Sequence, residues 1–538
     1  MQTAIVNAKI YIEPGHFESA LLVQDGAIAA VGSDAEIRRL AHRDARVLDA
    51  RGNLVLPGMN DSHQHLFNIG QRLSTLDLSG ARSIGDVIEM GRRFIAEHPE
   101  AQQGVYAAGW NQDYFTDEKR LLQRSDLDQI SQSIPLYFVR ICGHIAAANT
   151  AALRKAGITG QTPQPEGGRF GLAPDGQPDG IFNEHALDMI ADVIPPVTEQ
   201  TWKAWVRRAM QYAVSVGLTS VQSNDAQQGD GMLAVRVMQQ LHDEGSMPLR
   251  YRHQISFSSQ REFSDFLRSG VREKTQGDRL AFGPLKLFKD GSLGARTALL
   301  RSDYRDDPGN RGVEALSQEE ALALCETAQR SGMQVVTHVI GDGAVEQMLE
   351  IYEKVLAGGK NTLRHGLVHC QITDAQQLRR IGSMGILTLV QPVFIHYDSH
   401  IAESRVGREL TSTSYAFRTL LELGSPVSFG TDAPVEDCNP FPCLAAAVTR
   451  TDPQGFPEGG FVPGQNLSVE QAVDCYTAGS AYAEGKENTK GRLKPGYMAD
   501  LIVLDRDIFT LPSRDIGDAR VLLTMTGGQI VFERESLG

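Results

Sequence analysis

From about residue 200 onward, short apolar runs rich in β-branched residues alternate with stretches whose apolar positions recur at helical period. That alternation is what successive βα units laid into a parallel sheet require. Eight runs qualify as strands: Leu54 to Met59, Leu218 to Gln222, Leu249 to Phe257, Pro284 to Phe288, Gln334 to His338, Leu363 to His369, Ile386 to Gln391 and Pro426 to Gly430. Eight parallel strands close into a barrel and deliver the residues at their carboxyl ends to one mouth.

The chain has 538 residues, well beyond the roughly 250 of a bare barrel, so additions are expected. Residues 66 to 200, between strands one and two, carry their own short strands (Gly104 to Ala108, Leu136 to Ile141) and loops rich in Pro and Gly. They predict an inserted lid subdomain over one barrel end. The run Glu166 to Gly171 is Gly-rich, but it has no strand before it, no helix after it and no GKS ending, so it reads as a turn or lid loop. Residues 3 to 55 and 497 to 537 read as short strands with hairpin signals at Gln24-Asp25-Gly26 and Gly527-Gly528. The expected fold is therefore α/β: a (β/α)8 TIM barrel with a large insertion after strand one, plus a small β-sandwich built from both termini. The expected division is a composite sandwich of residues 1–56 and 492–538 and a barrel of 57–491.

Charge narrows the partners. A formal net charge of −14, from 66 acidic and 52 basic residues with no basic run, disfavours nucleic acid and anionic membrane. The first nine residues lack the basic stretch and apolar core of a signal peptide, and no apolar run approaches the roughly 18 residues of a membrane span, so a cytoplasmic protein is expected. Six cysteines without a CxxC pair suggest buried thiols rather than a disulfide framework or a four-cysteine zinc site.

The first chemical signal is Pro57-Gly58-Met59-Asn60-Asp61-Ser62-His63-Gln64-His65. In extended chain, i and i+2 side chains share a face, so His63 and His65 can bind one metal ion from the end of strand one; a polar loop with two solvated histidines is the other reading. His338 and His369 also end strands, about one βα unit apart, and reach the same mouth. Asp432, in Gly430-Thr431-Asp432-Ala433-Pro434, ends strand eight and is either a ligand or a cap for the next helix. These five residues can hold one or two divalent ions, and a pair of ions needs an anionic bridge. Lys286 lies inside the apolar strand four, where an ammonium requires a carboxylate partner or chemical neutralisation. Spacing leaves both open: a salt bridge with Asp290, or a carbamate formed with carbon dioxide.

Taken together, HxH on strand one, Lys on four, His on five and six and Asp on eight resemble the amidohydrolase superfamily. Further segments resemble amidohydrolase family 3, in its N-substituted formamide deformylase-like branch: Gly109-Trp110-Asn111, Gly143 to Asn149, Lys289 to Leu293, His338 to Ala344 and the tail Gly491 to Leu501. The likeness covers nearly the whole chain. It implies His63, His65, Lys286, His338, His369 and Asp432 as the metal and catalytic set, with Lys286 carboxylated. Lys289 departs from the pattern, but strand alternation points it to the opposite face. His144 either orients substrate or is a structural loop histidine. Trp110, Tyr114 and Gln391 are substrate-pocket candidates, although lid aromatics also form the lid's own core.

The implied reaction is hydrolysis of a non-peptide C–N bond, amide or formamide, by metal-activated hydroxide, with zinc favoured by the nitrogen-rich ligands. Asp432 is the expected general base. A deaminase or cyclic-amide hydrolase acting on a heterocycle, and a non-catalytic metal-binding regulatory protein, are the competing readings. The partner expected is a small-molecule substrate, with no nucleic acid or membrane, and a homodimer is left open.

Overall fold

The protein was analysed as a computed structural model that describes residues 2–142, 144–225, 232–275 and 277–534. It comprises two compact units, one of residues 1–68 and 209–538, the other of 69–208. Among the described residues, no helix is long and apolar enough to cross a membrane.

The larger unit is built on an α/β barrel sheet. Its strands are β1 (Met59–Gln64), β2 (Leu218–Ser223), β3 (Arg250–Ile255), β4 (Leu280–Phe288), β5 (Val335–Val339), β6 (Gly366–His369), β7 (Leu387–Val390) and β8 (Val427–Phe429). Each pairs with its sequence neighbour, in parallel throughout. Helices return the chain between strands, and some begin where a side chain satisfies their free N–H groups. Ser317 caps Gln318–Arg330, and Asp374 closes a capping box on Ala375–Met384.

Strand one differs from expectation. Leu54–Pro57 leaves the barrel for a terminal sheet, and the barrel strand is Met59–Gln64, so His63 lies within β1 rather than after it. The apolar run Leu54 to Leu56 is a buried strand of that terminal sheet, whereas β1 is mostly polar yet wholly buried. Hydropathy selects the first and passes over the second.

Both chain ends share a six-stranded sheet, in the order Gln529–Glu533, Val521–Thr526, Leu501–Leu504, Leu54–Pro57, Lys9–Glu13, His16–Glu18. A four-stranded sheet of N-terminal strands packs on it through Ile5, Leu21, Val23 and Ile28 against Ile10, Val55, Leu501 and Leu523. Two hairpins turn at Asp25-Gly26 and Gly527-Gly528, where all four residues have positive φ, as two-residue hairpin loops demand.

The smaller unit has its own six-stranded mixed sheet: Gly168–Leu172, Pro178–Glu184, Ile145–Ala148, Leu136–Arg140, Val105–Trp110, Leu76–Asp77. The Gly-rich run thus ends in an edge strand. Two apolar clusters cover this sheet, one around Trp110, Phe115 and Phe138, the other around Phe170 and Phe182.

Candidate metal centre

The centre begins where β1 meets β8. Asp61 accepts from the His63 amide (3.0 Å), from the Thr431 amide (3.1 Å) and from Thr431 Oγ1 (2.6 Å). Asp432 N donates to His63 O at 2.8 Å, and His65 N to Ala433 O at 2.7 Å. Gly430 permits this approach, because a Cβ there would lie 2.6 Å from the His63 amide nitrogen. The residues that carry the expected ligands are therefore the ones that join the first barrel strand to the last.

The other ligand candidates converge on the same point. Donor atoms of His63, His369 and Asp432 all lie within 4.8 Å of one another. Asp432 Oδ1 is 3.3 Å from His63 Nε2 and 3.1 Å from His65 Nε2. Ring centroids of His338 and His369 are 4.5 Å apart, and those of His63 and His369 5.5 Å. His369 and Asp432 both take left-handed backbone angles (φ 71° and 57°), a conformation uncommon in non-glycine residues.

Each imidazole is held at its outer nitrogen. His63 Nδ1 lies 2.6 Å from Gln254 Oε1, His369 Nδ1 2.8 Å from Gln391 Oε1, and His65 Nδ1 2.5 Å from Asn224 O. His338 is turned the other way, with Nε2 3.0 Å from Gly291 O. An oxygen acceptor requires the facing nitrogen to carry the proton, so three rings present Nε2 to the centre and one presents Nδ1.

Burial sets the charge. It drives His63 and His338 well below the usual histidine range and His369 to about 4, so these imidazoles are neutral. Burial also lowers His65, but the hydrogen bond and charge of Asp432 outweigh it and leave that ring raised. For Asp432, burial works upward, yet the His65 hydrogen bond and the charges of His369 and His63 hold it below the carboxylate range. Lys286 is lowered by burial to about 7, opposed by Asp432 and Asp290.

Lys286 sits two register steps below the Phe288 and His338 pair, and its Nζ lies over the Phe288 ring at 4.1 Å. That amine is buried with no hydrogen-bond partner among the described residues. Asp290, the carboxylate that spacing offered it, instead accepts from the backbone amides of Leu299, Ile340 and Gly341. Lys289 points elsewhere and is paired with Glu314 at 2.5 Å. Four oriented imidazoles, one ionised carboxylate and an unpaired buried amine make a donor set suited to a divalent cation.

The remaining candidates fall as follows. Gln391 is buried behind His369. Trp110, Tyr114 and His144 belong to the smaller unit. There Trp110 is fully buried and donates Nε1 to Phe138 O, Tyr114 is exposed, and His144 is exposed with Nδ1 3.0 Å from Glu184. Sequence reasoning missed Asp61, Thr431, Asn224 and Gln254. Asp61 and Thr431 stood inside quoted motifs, and their signal was a polar residue next to each ligand; Gln254 and Asn224 had none.

A family profile described as the amidohydrolase family matches residues 46–532. The putative amidohydrolase YtcJ of Bacillus subtilis is 31% identical over 97% of this chain and 97% of its own length. The N-substituted formamide deformylase of Arthrobacter pascens is 26% identical, over 96% of this chain and 95% of its own. Among solved structures, an uncharacterized metal-dependent hydrolase from Pyrococcus horikoshii superposes with a TM-score of 0.75 at 28% identity, covering 95% of this chain and 99% of that one. With the profile spanning most of its length and its barrel delivering the expected donors to one mouth, the chain belongs to the amidohydrolase family.

Proposed function

We propose that this amidohydrolase is a zinc-type metal enzyme that hydrolyses the C–N bond of an uncharged linear amide, an N-substituted formamide or small N-acyl compound, to acid and amine. The observation that carries this reading is the convergence of His63, His369 and Asp432 donors within 4.8 Å, beside an unpaired buried Lys286 amine. His63, His65, His338, His369, Asp432 and Lys286 would hold one or two ions. Such an ion, when bound, supplies Lewis acidity that polarises a carbonyl and lowers the pKa of water to about 7.

The chain's own residues do the rest. Asp432, ionised and 3.1 Å from His65 Nε2, accepts the proton of the attacking water and passes it to the leaving nitrogen. Lys286, lowered to about 7, has its nucleophilic amine available at neutral pH. The neutral amine nitrogen adds to carbon dioxide and releases one proton to solvent, which leaves an anionic carbamate where the amine stood. The formamide class is supported by the full-length likeness to the Arthrobacter deformylase.

Elemental analysis of purified protein is expected to give one to two equivalents of zinc or a similar ion, and ¹³C-bicarbonate labelling a carbamate resonance absent from Lys286→Ala. Amine release from N-alkyl and N-aryl-alkyl formamides and acetamides is the activity test, with hydantoins and aminated rings alongside. Turnover confined to the rings would overturn the substrate assignment. A metal-free protein that cannot be reconstituted, with unchanged turnover in His63→Ala and His65→Ala, would overturn the mechanism.

A further inference from the structure

Two side-chain amides stand directly behind two of the histidines. Gln254 lies on β3 and Gln391 one residue past the end of β7; both are buried, and each directs Oε1 at the Nδ1 of one ring, His63 at 2.6 Å and His369 at 2.8 Å. An amide can face either way, so what its nitrogen touches decides its orientation. Gln254 Nε2 donates to Ser62 O at 2.8 Å, and Gln391 Nε2 donates to Leu389 O at 3.2 Å. Those acceptors are carbonyls and require the NH2 end. The oxygens must then face the imidazoles, and each imidazole must carry its proton on Nδ1.

We propose that Gln254 and Gln391 are positioning residues, a matched pair of neutral acceptors that lock His63 and His369 in the tautomer that turns the Nε2 lone pair into the centre. The proposal rests on the metal reading above only in what the lone pair is for. A neutral imidazole otherwise exchanges between two tautomers, one of which turns N–H rather than a lone pair inward. His65 and His338 are held by the backbone carbonyls of Asn224 and Gly291, so these two glutamines are the side-chain members of the holding set. An amide accepts the Nδ1 proton without adding charge, so the rings remain neutral donors. Negative charge near them is then supplied by Asp432 and a modified Lys286, where it can meet a cation directly. A packing role alone, filling space behind the rings, would be indifferent to which atom faces Nδ1.

The experiment compares Gln254→Leu and Gln391→Leu, which remove the acceptor, with Gln254→Glu and Gln391→Glu, which restore an oxygen. Zinc affinity of apo full-length protein is read by chelator competition. Protonation of each ring nitrogen is read from ¹⁵N spectra of metal-free, histidine-labelled protein, with His63→Asn and His369→Asn assigning the signals. The leucine variants should lose about 10- to 100-fold in zinc affinity, the scale seen when partners of metal-bound histidines are removed, and the glutamate variants should recover most of it. The Nδ1–H signature of the facing ring should disappear in each leucine variant and persist in each glutamate variant. An unchanged Nδ1–H signal in the leucine variants, or equal zinc loss in the leucine and glutamate variants, overturns the proposal. If wild-type protein binds no zinc while the tautomer signals change as stated, the positioning role stands and the metal reading fails.

Discussion

Asp432 is the residue on which the proposed catalysis and the architecture meet. It is ionised, buried, and within 3.3 Å of two imidazoles. Asp432→Asn keeps the backbone bond to His63 O and the side-chain volume but loses the proton acceptor, so turnover should fall by about 10² or more while the protein stays folded. A rate near that of wild type would leave Asp432 a structural strand-end residue. A different buried acid allows a clean pH measurement: Asp398, which accepts from Tyr415 Oη and Gln371 Nε2, both at 2.7 Å, and which burial pushes up to about 6. Its folded-state value exceeds the roughly 4 of an unfolded chain, so the folded form binds this proton more tightly. The favourable contribution is complete below about pH 4 and is lost as pH rises through about 6. Relative to Asp398→Asn, wild type should thus lose on the order of 2–3 kcal/mol between pH 4 and pH 7, measured by urea unfolding; a constant difference refutes the assignment. At this scale the candidate ligands were legible because His338 and His369 end apolar runs and His63 and His65 stand in an HxH spacing. Their holders were not, because Gln254 is one polar residue among several in Arg250-Tyr251-Arg252-His253-Gln254-Ile255, and nothing local tells a holder from a surface residue.

At the scale of elements, seven of the eight barrel strands overlap the apolar runs that announced them. Most of those strands are legible because they are buried on both faces, which leaves largely apolar sequence, as in Leu280–Phe288 and Leu387–Val390. The exception, β1, reads Met59-Asn60-Asp61-Ser62-His63-Gln64, and some of its polar groups meet partners far away in sequence, such as Thr431 for Asp61 and Glu484 for Asn60. Periodicity cannot see such partners. The junction with β8 makes a sharp prediction. Gly430→Ala would place a methyl 2.6 Å from His63 N and 2.7 Å from Asp61 Oδ1, so the strands must part. The expected cost is about 2–3 kcal/mol in stability together with weakened zinc binding, read by denaturant unfolding and metal titration of the same sample. A variant with unchanged metal affinity would show that the junction does not set the ligand geometry.

Across the whole molecule, the two chain ends depend on each other. Val521–Thr526 is buried along its full length and lies between Leu501–Leu504 and Gln529–Glu533, in the sheet that also holds Lys9–Glu13 and Leu54–Pro57. Ending the chain at Arg520 would expose Leu501 to Leu504 and remove Val521, Leu522, Leu523 and Met525, each contributing about 1.5–3 kcal/mol by burial. That sum rivals the entire stability of a typical protein, so the shortened chain should be insoluble or melt far below wild type, as solubility and a thermal scan would report. A similar dependence governs the centre itself. Asp61 and Thr431 are 370 residues apart, and they and their neighbours join the two ends of the barrel sheet. A partly folded chain, lacking that contact, can offer an ion only fragments of the donor set, such as His63 with His65 or the neighbouring His338 and His369. The full grip arises only with the ring complete, so tight uptake of metal should come late in folding, as a sign that the circle has closed.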